Sequence, residues 1–446
     1  MRLFRRFAFV ATGMLVVAVA CSTPYDAGDE ASPAAPDADI EASTDASPPP
    51  VDGAPSDSGG AVTYHDIKDA TNWSTFDLAT IDLRLKGFFG AAFDGRYVYF
   101  APNKAANTFI ARYDTQAAFT SAASWSVFDV TRLGQGSLSF AGAVFANGAV
   151  YFVPRNQVLD GGTSYSTFLV RLDTSAAGAF TTLSPWQMYD LDQVGLGLGA
   201  HFGAAFDGQF LYLAPWADGR QVVRYDTKSS FVAASSYTSF DPQALDAGAL
   251  GVCMGAVYDG RGVTFLPILG SALRLDTSGD VASLGSWKTY ALQPDASPAT
   301  SITGGGTFDG RYLYAAPGYQ NKGVFYRFDT TGQFADPNAW KATAIVTPGS
   351  SFFGAIFDGR YVHLVPSTNG TGTDFALRYD TQKDFASSGS YDGFTTTTLG
   401  ADVKGFGGGA FDGRYVYYVP LQGSTVARFD AKTPASMPAS YYGSFL

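Results

Sequence analysis

One block, Phe89-Gly-Ala-Ala-Phe-Asp-Gly-Arg-Tyr-Val-Tyr-Phe-Ala-Pro102, recurs with edits to the end of the chain. With Asp94 as marker, its equivalents are Ala146, Asp207, Asp259, Asp309, Asp358 and Asp412, at steps of 52, 61, 52, 50, 49 and 54 residues. Seven copies at a period near fifty specify a repeat architecture, in which each unit must bury its faces against its neighbours. A second block follows each copy: Arg112-Tyr-Asp-Thr, Arg171-Leu-Asp-Thr, Arg224-Tyr-Asp-Thr, Arg274-Leu-Asp-Thr, Arg327-Phe-Asp-Thr, Arg378-Tyr-Asp-Thr and Arg428-Phe-Asp-Ala. A third lies one strand further on, around Trp125, Trp186, Tyr237, Trp287, Trp340, Tyr391 and Tyr441.

Each unit reads as four short strands. The first is Gly-Ala-Ala-Phe. Asp94-Gly95 signals a two-residue hairpin of type I′, with positive φ at both central positions. The second strand, Tyr97-Val-Tyr-Phe, closes at Pro102, which has no N–H for a ladder. The third ends in Arg-x-Asp-Thr, and the fourth carries Trp125 and Phe128. The second strand is apolar on both faces, so both faces of the sheet need cover. The first strand is rich in Gly and Ala, with Gly90, Gly142, Gly203, Gly255, Gly305, Gly354 and Gly408 in one column. A radial stack of sheets explains both facts, because neighbours cover each face and the innermost strands crowd an axis. The expected fold is therefore all-β, a seven-bladed β-propeller of four-stranded blades. Asn72 to Leu78 resembles a fourth strand and precedes the first repeat, so it is expected to join the last blade and tie the ring shut. Ser440 to Leu446 is a weaker candidate for the same place, and whether the two share it is open.

The N-terminus gives an address. Arg2, Arg5 and Arg6 precede an apolar run from Phe7 to Ala20, short for a membrane span and suited to an export leader. It ends Val17-Ala-Val-Ala-Cys21, which resembles the bacterial lipoprotein signal. The resemblance implies cleavage after residue 20 and lipidation of Cys21, although the small Ala18 stands where that signal prefers Leu. Ser22 after the cysteine implies the outer membrane or cell surface. Residues 21–60 then form a tether of Asp, Ala, Pro, Ser and Gly that cannot bury enough surface to fold, with a coil span of about 35 Å. The repeats occupy 61–446.

The formal net charge is −11. Removing three leader arginines and setting aside nine linker acids leaves the ring near −5. Without a basic patch, nucleic acid is excluded as a partner. Cys253 is the one other cysteine. It falls at the place of Phe89, Phe202 and Phe353 beside the first strand and reads as a small buried hydrophobe.

Chemistry is sparse. The three histidines, His65, His201 and His363, are isolated, and there is no zinc pair, phosphate loop or nucleophile elbow, so neither a cofactor nor a metal is expected. The Arg-x-Asp pairs recur in every repeat whereas an active site needs one set, so they read as structural, bonding to turn backbone or neighbouring strands. One Asp per turn falls far short of a calcium shell. Divergence between copies is the better guide. The connections between second and third strands vary in length and content, and in a propeller they share one rim. Trp216 and Tyr319 place aromatic rings there beside amides and acids, a combination suited to sugar binding.

The Phe-Asp-Gly-Arg-Tyr-Val-Tyr, Arg-Tyr-Asp-Thr and Ser-Trp-Ser-Val-Phe-Asp blocks together resemble repeat proteins of exported bacterial chains over residues 72–446. That resemblance implies a propeller on an envelope protein and carries no activity with it. The functional expectation is a monomeric, membrane-tethered binding or scaffold ring that offers its rim to a glycan or envelope protein. The alternative is a carbohydrate hydrolase or lyase with carboxylates at the channel mouth.

Overall fold

The computed structural model describes residues 61–441, apart from 105, 137, 160–161, 195–199, 217–220, 246–251, 293–302, 319–322, 346–350 and 368–373. Cys21, the leader and the tether lie outside the described residues, as does Tyr319. Within this range the chain forms seven four-stranded antiparallel sheets and a few two-residue to four-residue pairings. Blade 1 runs Phe88–Phe93, Tyr97–Pro102, Phe109–Asp114 and Trp125–Asp129, from axis to rim. Blades 2 to 6 repeat that order with inner strands Phe140–Ala146, Ala200–Phe206, Val252–Tyr258, Thr303–Phe308 and Phe352–Phe357. Inner strands of consecutive blades lie side by side, the last beside the first.

Blade 7 is assembled from both ends of the chain. Its strands Phe406–Phe411, Tyr415–Pro420 and Thr425–Asp430 are completed by Trp73–Asp77, with Trp73 opposite Phe429 and Asp77 opposite Thr425. A second seam pairs Thr63 with Thr433 and Tyr64 with Lys432. The N-terminal strand thus takes the outer place itself. Ser440 and Tyr441 do not extend as a strand, and 442–446 lie outside the described residues. The aromatic column that the sequence ends on Tyr441 instead ends on Trp73, whose Nε1 donates to the Ile67 carbonyl at 2.8 Å. Trp125, Trp186, Trp287 and Trp340 bond the carbonyl six residues upstream in the same way.

Neighbouring blades are joined by aromatic stacks near the rim. Phe76 lies on Trp125 at 4.9 Å, Phe128 on Trp186 at 4.1 Å, Tyr189 on Tyr237 at 4.5 Å and Phe240 on Trp287 at 4.4 Å. Tyr290–Trp340 and Phe394–Trp73, both at 4.8 Å, continue the girdle. Between blades 5 and 6, Thr343 stands where the pattern has Phe128, and no stack forms there.

Two details of the repeat differ from expectation. In the Asp94 hairpin, Asp94 N–H donates to the Tyr97 carbonyl and only Gly95 has positive φ, at 101°. Gly95 and Arg96 are therefore the central pair, as in a type II′ turn, and Asp94 flanks them. The two-positive-φ turn occurs only in blade 2, at Asn147 and Gly148 (φ 45° and 72°). The glycine column has a backbone cause as well as a steric one. Gly90 has φ 68° and sits in a register shift between Phe88 and Ala91, and each of the six other blades shows the same bulge at its glycine.

Candidate functional site

The repeated charges form a structural girdle. In blade 1 the Asp94 carboxylate accepts the Arg96 and Tyr97 backbone N–H groups at 2.8 and 2.6 Å on one oxygen, and the Tyr99 hydroxyl at 2.7 Å on the other. Burial, with Asp94 beside it, holds the Tyr99 phenol far above its ordinary range, so it remains a donor. Asp207–Tyr212, Asp309–Tyr314 and Asp412–Tyr417 repeat the arrangement, and His363 takes the tyrosine's part against Asp358 at 2.8 Å.

In four blades the Asp of the Arg-x-Asp block bonds the turn arginine rather than its own neighbour, in Arg96–Asp114, Arg311–Asp329, Arg360–Asp380 and Arg414–Asp430, whereas in blade 2 Asp173 lies 3.7 Å from its own Arg171. The block's arginine instead bridges blades. The Arg112 guanidinium lies 4.1 Å from the Tyr97 ring centroid and 4.2 Å from that of Phe180 in the next blade. Arg327 and Arg428 sit likewise between Tyr312 and Phe385 and between Tyr415 and Phe119.

Blade 4 edits this pattern. Gly262 and Thr264 occupy the places of Tyr97 and Tyr99. Arg274 moves into the vacated space and grips Asp259 bidentately at 2.5 and 3.0 Å, with Asp259 fully buried. The missing rings leave a groove of about 530 Å³ toward blade 5, lined by Arg261, Arg274, Asp276, Lys288 and Phe334 among others.

The aperiodic residues gather at the axis. The position before each bulge glycine is Phe89, Ala141, Phe202, Met254, Gly304, Phe353 and Gly407. Met254, not Cys253, therefore faces the axis. Cys253 lies one position earlier, with Phe88 and Phe352, because the bulge follows Met254. It is buried, and burial pushes its thiol far above the usual range, so the small-hydrophobe reading stands. Phe89 touches both Phe202 at 4.7 Å and Phe353 at 5.2 Å. These rings come from blades 1, 3 and 6, which can meet only across the axis. Glycine admits them: a Cβ on Gly407 would lie 2.9 Å from the Phe89 ring, and one on Gly304 would overlap the Phe352 carbonyl.

On this aromatic floor stands a cavity of about 500 Å³. Its wall is the residue directly after the second-strand proline in six of the seven blades: Asn103, Arg155, Trp216, Ile268, Gly318 and Leu421. Thr303, Lys104 and Gln422 complete it. Trp216 is the last residue of the strand Phe210–Trp216 rather than a loop residue, half-buried with its ring 4.8 Å from Phe202.

Arg155 is the site residue that reading by motif passes over. Its N–H is fixed on the Ser139 carbonyl at 2.9 Å, and its Nη1 donates to Asn103 Oδ1 at 2.8 Å. The guanidinium lies 5.1 Å from the Phe202 centroid and 5.7 Å from that of Phe89. Among the described lining residues the charged groups are Arg155 and Lys104, with no carboxylate. Among the described residues no group of three or more His, Cys, Asp or Glu could hold a metal. No described helix is long and apolar enough to cross a membrane. A signal for this wall was available: in a chain where the flanking columns repeat, the column after the proline does not.

No family model matches the chain, and no curated protein matches it. Solved structures do resemble it. A catalytically inactive virginiamycin B lyase from Staphylococcus aureus with quinupristin shares 12% identity over 80% of this chain and 98% of its own, with TM-score 0.56. YCF48 from Cyanidioschyzon merolae shares 11% over 80% and 98%, with TM-score 0.51. Kuenenia stuttgartiensis hydrazine synthase shares 12% over 79% and 97%, with TM-score 0.50. At such identities the likeness is one of architecture, and the chain is a seven-bladed β-propeller.

Proposed function

We propose that this protein is an exported, lipid-anchored binding ring that takes a glycan into the cavity at its channel mouth. One observation carries the reading. The repeated residues are consumed by the girdle, whereas the wall and floor of the cavity are built from positions that differ from blade to blade. A recess of about 500 Å³ with aromatic faces and a few polar groups has the size and lining of a small-ligand site. Trp216 beside Phe202 offers an apolar face to a sugar ring, and Asn103, Arg155 and Lys104 place polar groups on the same wall. A cup closed by Phe89, Phe202 and Phe353 favours the end of an oligosaccharide over a protein surface. The hydrolase alternative needs two carboxylates about 5–10 Å apart, and the described lining supplies none.

The chain from residue 61 contains every described strand, so that fragment is the reagent for a glycan and cell-wall polysaccharide array. Binding by the wild type and loss in Trp216→Ala, with an unchanged melting curve, is the expected result. A wild-type array without a single positive overturns the sugar reading. The anchor is tested separately: Cys21→Ala is expected to move the protein from the membrane fraction to the soluble exported fraction.

A further inference from the structure

Arg155 differs from the arginines of the girdle in facing the cavity, although Arg224 shares with it a buried Nε that lacks a hydrogen-bond partner. Arg96, Arg274, Arg311, Arg360, Arg378 and Arg414 each meet an Asp carboxylate. Arg112, Arg327 and Arg428 lie sandwiched between blades. Arg155 projects into the cavity and, among the described residues, has no carboxylate within ion-pair distance. Its Nε is buried without a hydrogen-bond partner. Its neighbours are arranged to hold it: Asn103 donates its Nδ2 to the Phe140 carbonyl at 2.7 Å, which turns its Oδ1 toward Nη1 of Arg155. The Ser139 hydroxyl donates to the Asn103 carbonyl at 2.6 Å and fixes the backbone beneath. Burial lowers the guanidinium to about 10, which leaves it charged at neutral pH.

A desolvated, positioned charge whose donors are mostly unused is costly in the empty cavity and is offset when an anion arrives. The guanidinium fork matches a carboxylate in bidentate geometry. Lys104 adds a second cation at the edge of the cavity. The partner must also present a flat apolar face to Trp216 and fit within about 500 Å³.

Resting on the glycan reading above, we propose that the ligand is an acidic sugar, its carboxylate held by Arg155 and its ring lying against Trp216. The ring's net negative charge gives anions no general attraction to its surface, so recognition has to come from contacts inside the cavity.

The test is calorimetric titration of the full chain with uronic acid oligosaccharides, their methyl esters and the corresponding neutral sugars. The acid is expected to bind about 10- to 100-fold more tightly than the ester, the range of one charge-assisted bidentate contact. In Arg155→Met, which keeps the side chain's bulk, acid and ester should bind alike. Equal binding of acid and ester by the wild type overturns the proposal and leaves the glycan site standing. That comparison uses no variant and so does not depend on how Arg155→Met folds. A preference for acid that survives in a folded Arg155→Met also overturns it. Absence of binding to every sugar fails both the proposal and the reading beneath it.

Discussion

The girdle and the channel mouth are built from the same strands by opposite rules. In the girdle, one side chain solves one problem again and again: Asp caps the hairpin in six of the seven blades, and Arg112, Arg327 and Arg428 bridge blades. At the mouth, the residue after each proline is Asn, Arg, Trp, Ile, Gly, Ser or Leu, and no two blades agree. A position under the same backbone constraint in every blade varies freely only if the fold does not fix it. The comparison teaches that in this ring periodicity marks what holds the structure and aperiodicity marks where a ligand can be read.

The comparison predicts that stability belongs to the girdle. Trp73→Ala removes a buried ring stacked on Phe394 and the Ile67 bond at the seam between chain ends. We expect a loss of about 3–5 kcal/mol in denaturant unfolding. A loss under about 1 kcal/mol would show that the seam at Thr63–Tyr64 closes the ring without it.

Arg274→Ala leaves Asp259 buried without its bidentate partner, for an expected loss of about 3 kcal/mol. Stability within error of wild type would mean that water filling the blade 4 groove solvates the carboxylate.

His201 sharpens the contrast through pH. It stands in the column of Phe88, Phe140, Phe352 and Phe406, fully buried, with neither ring nitrogen in a hydrogen bond of normal geometry. Burial lowers it to about 4, slightly offset by the Ala214 backbone. The folded form thus binds its proton less readily than the unfolded chain, whose imidazole titrates near 6.5. Its stabilising effect is complete above pH 6.5 and is lost as pH falls toward 4, on the order of 2–3 kcal/mol. His201→Phe should flatten thermal stability between these pH values. An unchanged slope between pH 6.5 and 4 would contradict this assignment, because carboxylates such as Asp114, which the Arg96 side chain holds below the usual range, lose their contribution only below about pH 4.

The smallest effect expected is that of Arg311→Ala, since its bridge to Asp329 is solvent-exposed at the arginine. Its melting curve should overlay the wild type. A clear loss would show that the exposed bridges act as a coupled network.

The sequence makes the blades legible because their signals are local. A glycine that needs positive φ, a proline that ends a ladder and an Asp that caps a turn each act within a few residues. What it hides is set at long range. Pairing Asp77 with Thr425 decides closure, and a second aromatic segment at the C-terminus competes for that place in any reading by pattern. The placing of Cys253 beside Phe89 is off by one against the glycine column itself: counted back from Gly255 and Gly90, Met254 matches Phe89 and Cys253 matches Phe88. The partners of the Arg-x-Asp pairs are hidden because they come from elsewhere in the ring: residues two apart share a face, but Arg112 is drawn to Phe180 across the blade interface and Asp114 to the turn residue Arg96. At the mouth, Trp216 is visible as an aromatic after a proline. Arg155 is visible only once six of the post-proline positions are seen to converge on one cavity.

The most direct test of the division between girdle and mouth is a glycan array read in parallel for the wild type, Trp216→Ala and Arg311→Ala. The division predicts the same positives for the wild type and Arg311→Ala and none for Trp216→Ala. Binding that survives Trp216→Ala and disappears with Arg311→Ala would place recognition on the repeated surface and contradict it.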